Sequence, residues 1–172
     1  MKKIQLRSLQ QITILIGIAL AFQLFPDPAA GSPKEKIEAD TRCPVCGMFV
    51  AKYPDWNTQI HHIDGTILVF DGTKDMMVYY LNPEKFGPHS RDSIKEIWVK
   101  DYYTLEWIDG RSAFFVIGSD TYGPMGHELI PFSSSEAAKS FLKDHHGKQI
   151  LTFDEITESI VESLRFGQKM RQ

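Results

Sequence analysis

Two stretches of this chain repeat one change of rhythm, from β-rich runs around a tight turn to a helical spacing of apolar residues. The first is "TQIHHI" and "TILVF", joined by Asp64-Gly65. Asp-Gly between β-rich runs is the strongest short-range hairpin signal a sequence carries. Asp71 then stands where a helix N-cap belongs, Met76, Met77, Tyr80 and Leu81 supply an apolar face, and Asn82-Pro83 stops the helix. The second stretch opens with an additional strand, "SIKEIWVKDY", followed by "TLEWI" and "SAFFVIG" flanking Asp109-Gly110. After a loop, "SSEAAKSFLKDHHG" reads as a helix capped by Ser134 or Ser135, with Ala137, Ala138, Phe141 and Leu142 toward the core and Gly147 at its end. Ile63-Asp64-Gly65 and Ile108-Asp109-Gly110 lie 45 residues apart, each at the tip of an expected hairpin. A duplicated plan accounts for both.

With a short strand "QILTF" and a helix over 154–166, the expectation is an α+β protein. It consists of two ββα-type halves, a duplicated hairpin plus helix, with an additional strand and a C-terminal helix, after a cleavable N-terminal signal. The folded part is expected to begin near Arg42, because "SPKEKIEADTR" is charged and carries no apolar period. The expected organisation is therefore a signal over 1–31, a linker over 32–41 and one domain over 42–172.

The signal itself is read from Lys2, Lys3 and Arg7, an apolar run from Ile12 to Phe25, and the small residues Ala29, Ala30 and Gly31. An uncleaved anchor is the rival reading, but Gln23 interrupts a run already short of the roughly 20 apolar residues that span a bilayer. Either way the folded part is expected outside the cytoplasm, in a periplasmic or other extracytoplasmic, oxidising compartment. The N-terminal segment would be its route to any membrane association.

Composition narrows the partners. The 172 residues carry 19 Lys plus Arg against 22 Asp plus Glu, a formal charge of -3, with no basic patch beyond the first residues. That balance excludes nucleic acid as an expected partner. One domain of this length buries enough apolar surface to fold without disulfide staples, so the two cysteines are not a scaffold.

Those cysteines, Cys43 and Cys46 in "RCPVCGMF", can be a redox dithiol, a disulfide, half a zinc site or a clamp for a softer metal. A zinc site wants a second Cys pair or spaced histidines, whereas His61-His62 and His145-His146 are adjacent doublets. A thioredoxin-like dithiol opens a helix, and Gly47 followed by Pro54 offers none. A disulfide across two residues would be strained. The softer clamp draws support from Met48, two residues after Cys46, and from "TYGPMGHELIPF", where Met125 and His127 are two apart in a small-residue loop. Thiolate and thioether select Cu(I), and imidazole suits copper too. In an extended run Met125 and His127 would point to one side. Each residue also has a plainer role: Met76 and Met77 as core fillers, Met48 as a core residue beside the thiols, and His127 bonded to nearby backbone. The combination of two thiols with Met125-x-His127 raises copper above the alternatives.

"CPVCGMFVAKYPDW", "HIDGTILVFDGTKDMMVYYLNPE", "IWVKDYYTLEWIDGRSAFFVIGSDTYGPMGHELIPF" and "AAKSFLKDHHGKQILTFDEI" resemble the NosL family of copper chaperones for nitrous oxide reductase assembly. The most specific parts are Cys-Pro-x-Cys-Gly-Met and Gly-Ser-x5-Met-Gly-His. The resemblance implies two ββα-type halves similar to those of the organomercurial lyase. It also implies an exported Cu(I)-binding metallochaperone rather than an enzyme, acting in denitrification. Its recipient would be the reductase or an assembly factor, and its metal ligands fall on Cys43 or Cys46, Met125 and His127. Many members carry a lipid-anchoring cysteine at the end of the signal, and no cysteine follows the apolar run closely here. The alternative, from another class, is an extracytoplasmic thiol redox or heavy-metal enzyme using the Cys43/Cys46 pair, which requires one thiol of low pKa.

Overall fold

The computed structural model describes residues 31–166. The expected export signal, apart from Gly31, lies outside these residues. β1 (Thr58–His62) and β2 (Ile67–Phe70) form the hairpin read from Asp64-Gly65, with Thr58 opposite Phe70 and His61 opposite Ile67. Gly65 takes a φ of +87°, a conformation that suits glycine, and the Asp64 carboxylate accepts the Thr66 N–H at 2.9 Å. α1 (Thr73–Leu81) follows and ends at Asn82, directly before Pro83. Its buried side chains include Met76, Met77 and Tyr79, so the two methionines are core fillers. β3 (Ile94–Lys100) returns beside β1, and β4 (Trp107–Asp109) pairs with β3, which gives an antiparallel sheet in the order β2-β1-β3-β4.

The second half begins with β5 (Phe114–Ile117). A small ribbon of β6 (Tyr122–Gly123) and β7 (Gly126–His127) interrupts the route to β8 (Ile130–Phe132), after which come α2 (Ser135–Asp144) and β9 (Gln149–Thr152). Its sheet runs β8-β5-β9, again antiparallel. The duplication is therefore present: β1, β2, α1 and β3 with β1 central correspond to β5, β8, α2 and β9 with β5 central.

The repeat is anchored differently from the sequence expectation, however. Asp109-Gly110 is not a second hairpin tip, because β4 and β5 belong to different sheets. Gly110 donates to the Ile97 carbonyl at 2.8 Å, and the Asp109 carboxylate accepts the Arg111 N–H, so the dipeptide turns the chain from one sheet into the other. Strand chemistry explains the separation. "FFVI" is apolar on both faces and needs both covered, whereas "WID" is a half-buried edge strand. The true counterpart of the Asp64-Gly65 turn is the 118–129 segment, enlarged by the β6–β7 ribbon.

β5 shows how the halves share a core. Phe115 and Ile117 join Ile60, Phe70, Met76 and Val99 on one side, while Val116 joins Phe132, Ala138 and Phe141 under α2 on the other. The Ser134 hydroxyl caps α2 by accepting the Ala137 N–H, as its sequence predicts. The left-handed residue after that helix is His146 (φ +54°) rather than Gly147. Gly147 is small for another reason: a Cβ there would lie 2.7 Å from Val116 Cγ1. α3 (Glu158–Arg165) starts later than Asp154, because Thr152 and Glu155 close a capping box on a 3-10 turn and Thr157 then caps the helix. α3 packs against α1 and touches β7. No helix among the described residues is long and apolar enough to cross a membrane.

Phe141 is fully buried between Phe132, Tyr102 and His145, with ring centroids 5.0, 4.9 and 4.2 Å away. Phe141→Ala is expected to cost about 3–5 kcal/mol in urea unfolding. Ile63→Ala, at a side chain 70% exposed, is expected to cost less than about 0.5 kcal/mol in the same measurement.

Candidate metal centre

"RCPVCGMF" folds into a closed turn. The Arg42–Phe49 bridge ties its ends, Cys43 N–H donates to the Met48 carbonyl at 2.9 Å, and Gly47 N–H donates to the Cys43 carbonyl at 2.9 Å. Gly47 adopts φ +76°, which explains a glycine directly after the second thiol. This arrangement turns backbone N–H groups toward sulfur: those of Cys46 and Val45 address the Cys43 thiol, and that of Met48 addresses Cys46. Met48 is half-buried and contributes through this backbone contact. Both cysteines are free thiols.

Two carboxylates that the sequence reading did not assign to the site complete it. Asp71, read as the cap of α1, makes no such contact; Gly72 is the N-cap and no side chain of that residue can cap the helix. Asp71 instead accepts the Cys46 thiol at 3.2 Å, and Asp75, four residues on along the same face, lies 3.9 Å from the Cys43 sulfur. One donor atom each from Cys43, Cys46, Asp71 and Asp75 lies within 4.8 Å of the others. Ligands of a tetrahedral ion at 2.0–2.3 Å stand about 3.3–3.8 Å apart, so contraction of about 1 Å would close the set on a metal. The zinc argument based on missing Cys and His partners therefore loses its force, since it left out the carboxylates. The signal was present as Asp-x3-Asp around a helix start, but such a pair is equally common as dipole-favoured surface charge.

Burial governs the electrostatics. It pushes the Cys43 thiol up to about 11, reinforced by Asp71 and opposed by the N–H groups of Cys46 and Val45. It pushes Cys46 up further, against the Met48 N–H and with Asp75 and Asp71 adding to the rise. Asp75 is also raised by burial, while its bond to Cys46 and the charges of Lys74 and Arg165 pull it down. At neutral pH the free protein thus holds two thiols hydrogen-bonded to carboxylates. Two thiols and the Asp75 carboxyl, whose charges burial disfavours, stand beside a second carboxylate in a place suited to a cation.

The cluster opens through Cys46. A surface cleft of about 170 Å³ is lined by Cys46, Lys74, Asp75, Met125, Arg165 and Phe166. Met125, some eighty residues on in the chain, thus lines the same cleft as Cys46, and it is 46% exposed. Pro124 and Met125 form the two-residue tip between β6 and β7, and Gly126 follows at φ +90°. Met125 and His127 are therefore not aligned in one extended run. The His127 ring packs against Tyr122, centroids 4.9 Å apart, and does not line the cleft.

The ribbon is fastened to the first turn of α1. Buried Lys74 donates from Nζ to the carbonyls of Met125 and His127, both at 2.8 Å. Buried Glu128 accepts the backbone N–H of Lys74 and, at 2.9 Å, that of Leu129. Glu128 therefore does from the other half what Asp71 does not: it satisfies an N–H of the first turn of α1. A Cβ at Gly72 would clash with this carboxylate, and one at Gly123 would lie 3.0 Å from it. Burial raises Glu128 to about 7, with the Lys74 charge and the two N–H groups pulling it down.

Known proteins with this architecture carry related sequences. A family model described as NosL matches residues 33–161. The copper-binding lipoprotein NosL of Stutzerimonas stutzeri is 27% identical over 161 residues, which covers 86% of this chain and 81% of that protein. Its namesake from Achromobacter cycloclastes is 28% identical over 166 residues, covering 89% and 82%. The crystal structure of the copper chaperone NosL from Shewanella denitrificans superposes with a TM-score of 0.64 at 27% identity, over 78% of this chain and 99% of that one. With a family model covering most of its folded part, this chain belongs to the NosL family.

Proposed function

We propose that this protein is an exported Cu(I) carrier, a metallochaperone that binds one ion at its thiol pair and passes it on. The observation that carries this reading is the cluster of Cys43, Cys46, Asp71 and Asp75, beside a surface cleft that Cys46, Asp75 and Met125 line together. Thiolate and thioether are the donors that favour Cu(I). Cys46 and Met125 at the mouth let an incoming protein insert its own ligands and draw the ion out by exchange. Asp71 and Asp75 take the thiol hydrogen bonds in the free protein, and the backbone N–H groups of the turn stabilise the thiolates once metal binds. His127 and Met48 remain candidate ligands beside these. The names of the relatives, copper-binding lipoprotein and copper chaperone, support the cargo and a recipient for it. We take the recipient to be nitrous oxide reductase or one of its assembly factors, as the NosL resemblance implies. The basic and apolar run over 1–31 supports export.

An enzymatic reading of the dithiol would ask for a thiol well below its ordinary pKa, and both are raised here. This favours holding metal over attacking a substrate. The two carboxylates support a second reading, Zn(II) in a Cys2Asp2 tetrahedron.

Anaerobic titration of the reduced protein with Cu(I) and, separately, Zn(II) against competing chelators distinguishes the readings. One Cu(I) per chain is expected. Cys46→Ser is expected to weaken Cu(I) by more than about 100-fold, beyond the usual cost of losing an outer-sphere partner. Met125→Ala is expected to weaken Cu(I) and leave Zn(II) unchanged; equal losses for both metals would remove the thioether from the site.

Because the free protein holds its thiols protonated, each thiolate–copper bond expels a proton. Cu(I) affinity is therefore expected to rise with pH from 6 to 8, about tenfold per unit for one cysteine and about 100-fold per unit for both. Chelator competition at several pH values reads the slope, and a flat profile would contradict thiolate ligation. Cys43 also makes the apo fold sensitive to alkali. Its folded pKa exceeds the ordinary value of 9.0, so its contribution is complete below pH 9 and is lost as pH rises through about 11. Thermal melts of the apo protein are expected to fall across that window.

A further inference from the structure

We propose that Lys74 is a positioning residue for copper capture: it clamps the β6–β7 ribbon so that the Met125 thioether is held over the thiol pair before any metal arrives. The inference rests on the reading of the cleft as a Cu(I) site and identifies what aims its distant ligand. A tip as short as Pro124-Met125, on a ribbon of two residues a side, has almost no core of its own, and Met125 is 46% exposed. Something else must fix it. Lys74 is 1% exposed, and its ammonium bonds the carbonyls on either side of Gly126, those of Met125 and His127. A buried ammonium is costly to desolvate, so a chain that keeps one at this place uses its donors. Glu128 then locks the clamp, since its carboxylate takes the backbone N–H of that same lysine and lies against Gly72 and Gly123.

The consequence is geometric. Lys74 directly precedes Asp75, so the residue that holds the ribbon sits on the same helical turn as the carboxylate facing Cys43, and Asp71 lies just before that helix. Motion of the ribbon relative to the thiols is thereby removed, and binding does not have to order Met125. Lys74 supplies no metal ligand atom in this scheme; it acts through the backbone of the ribbon, beside the pull of its charge on Asp75.

The test is a double-mutant cycle on the full chain, read as Cu(I) affinity by chelator competition. Lys74→Met keeps the length and apolar stem and removes the donors. Lys74→Met and Met125→Ala are each expected to weaken Cu(I) about tenfold, in the range of outer-sphere losses. The double variant is expected to be no weaker than Met125→Ala alone, because a clamp has nothing to aim once the thioether is gone. Losses that multiply, or a Lys74→Met affinity within twofold of the unaltered protein, would overturn the clamp while leaving Met125 as a ligand. A Met125→Ala protein that binds normally overturns the clamp together with the thioether reading. The unaltered apo protein gives a second reading that holds if Lys74→Met does not fold. Backbone 15N order parameters at Met125, Gly126 and His127 are expected near 0.85, and values below about 0.6 would mean that nothing holds the ribbon.

Discussion

The first turn of α1 needs partners for its free N–H groups, and the way that need is met organises the molecule. A side chain at Asp71 stands in the usual capping place, yet the N-cap is Gly72, and the carboxylate that accepts the Lys74 N–H is Glu128, from the other half of the chain. This exchange of roles has two effects. It frees Asp71 to face Cys46, and it ties the β6–β7 ribbon, through Glu128 and Lys74, to the helix that carries Asp75 and follows Asp71. Gly72 and Gly123 leave the space in which the carboxylate sits.

The site is chemically tense without its ion. Two thiols and two carboxylates share a space hardly larger than a coordination shell, and burial disfavours the charge on both thiols and on Asp75. Hydrogen bonds from thiol to carboxylate relieve the tension in the free protein. A bound cation would relieve it differently, by replacing the thiol protons, and would couple metal capture to proton release. The turn from Cys43 to Met48 is prepared for that second state through the N–H groups it directs at sulfur.

Duplication accounts for the position of the soft loop. In the first half the central hairpin closes in the tight Ile63–Thr66 turn; in the second the corresponding connection grows into a ribbon long enough to reach the other half. The shared core, with Phe115 and Ile117 facing the first half and Val116 facing α2, fixes the two sheets against each other. A side chain on the enlarged turn, Met125, thereby lines a cleft with residues of the first half.

What was legible in the sequence was local. The Asp64-Gly65 turn, the Ser134 cap, the Asn82-Pro83 stop and the soft-donor character of Cys43, Cys46 and Met125 all follow from a few adjacent residues, because dihedral preference and ligand softness belong to the residue itself. Asp109-Gly110 looked the same as Asp64-Gly65 and behaves differently, since whether two strands pair is decided by which faces the rest of the chain can cover. Asp71 looked like a cap and became a site residue for a similar reason: a carboxylate 57 residues away occupied the capping role. Burial turned Asp75, Lys74 and Glu128 from ordinary surface-type residues into a charged framework, and burial is a property of the assembled molecule. The sequence by itself determined the Asp64-Gly65 hairpin, the Ser134 cap and the soft-donor residue types; the tertiary structure alone decided which carboxylates lie against the thiols and that Met125 lines the same cleft as Cys46, because both depend on contacts between residues far apart in the chain.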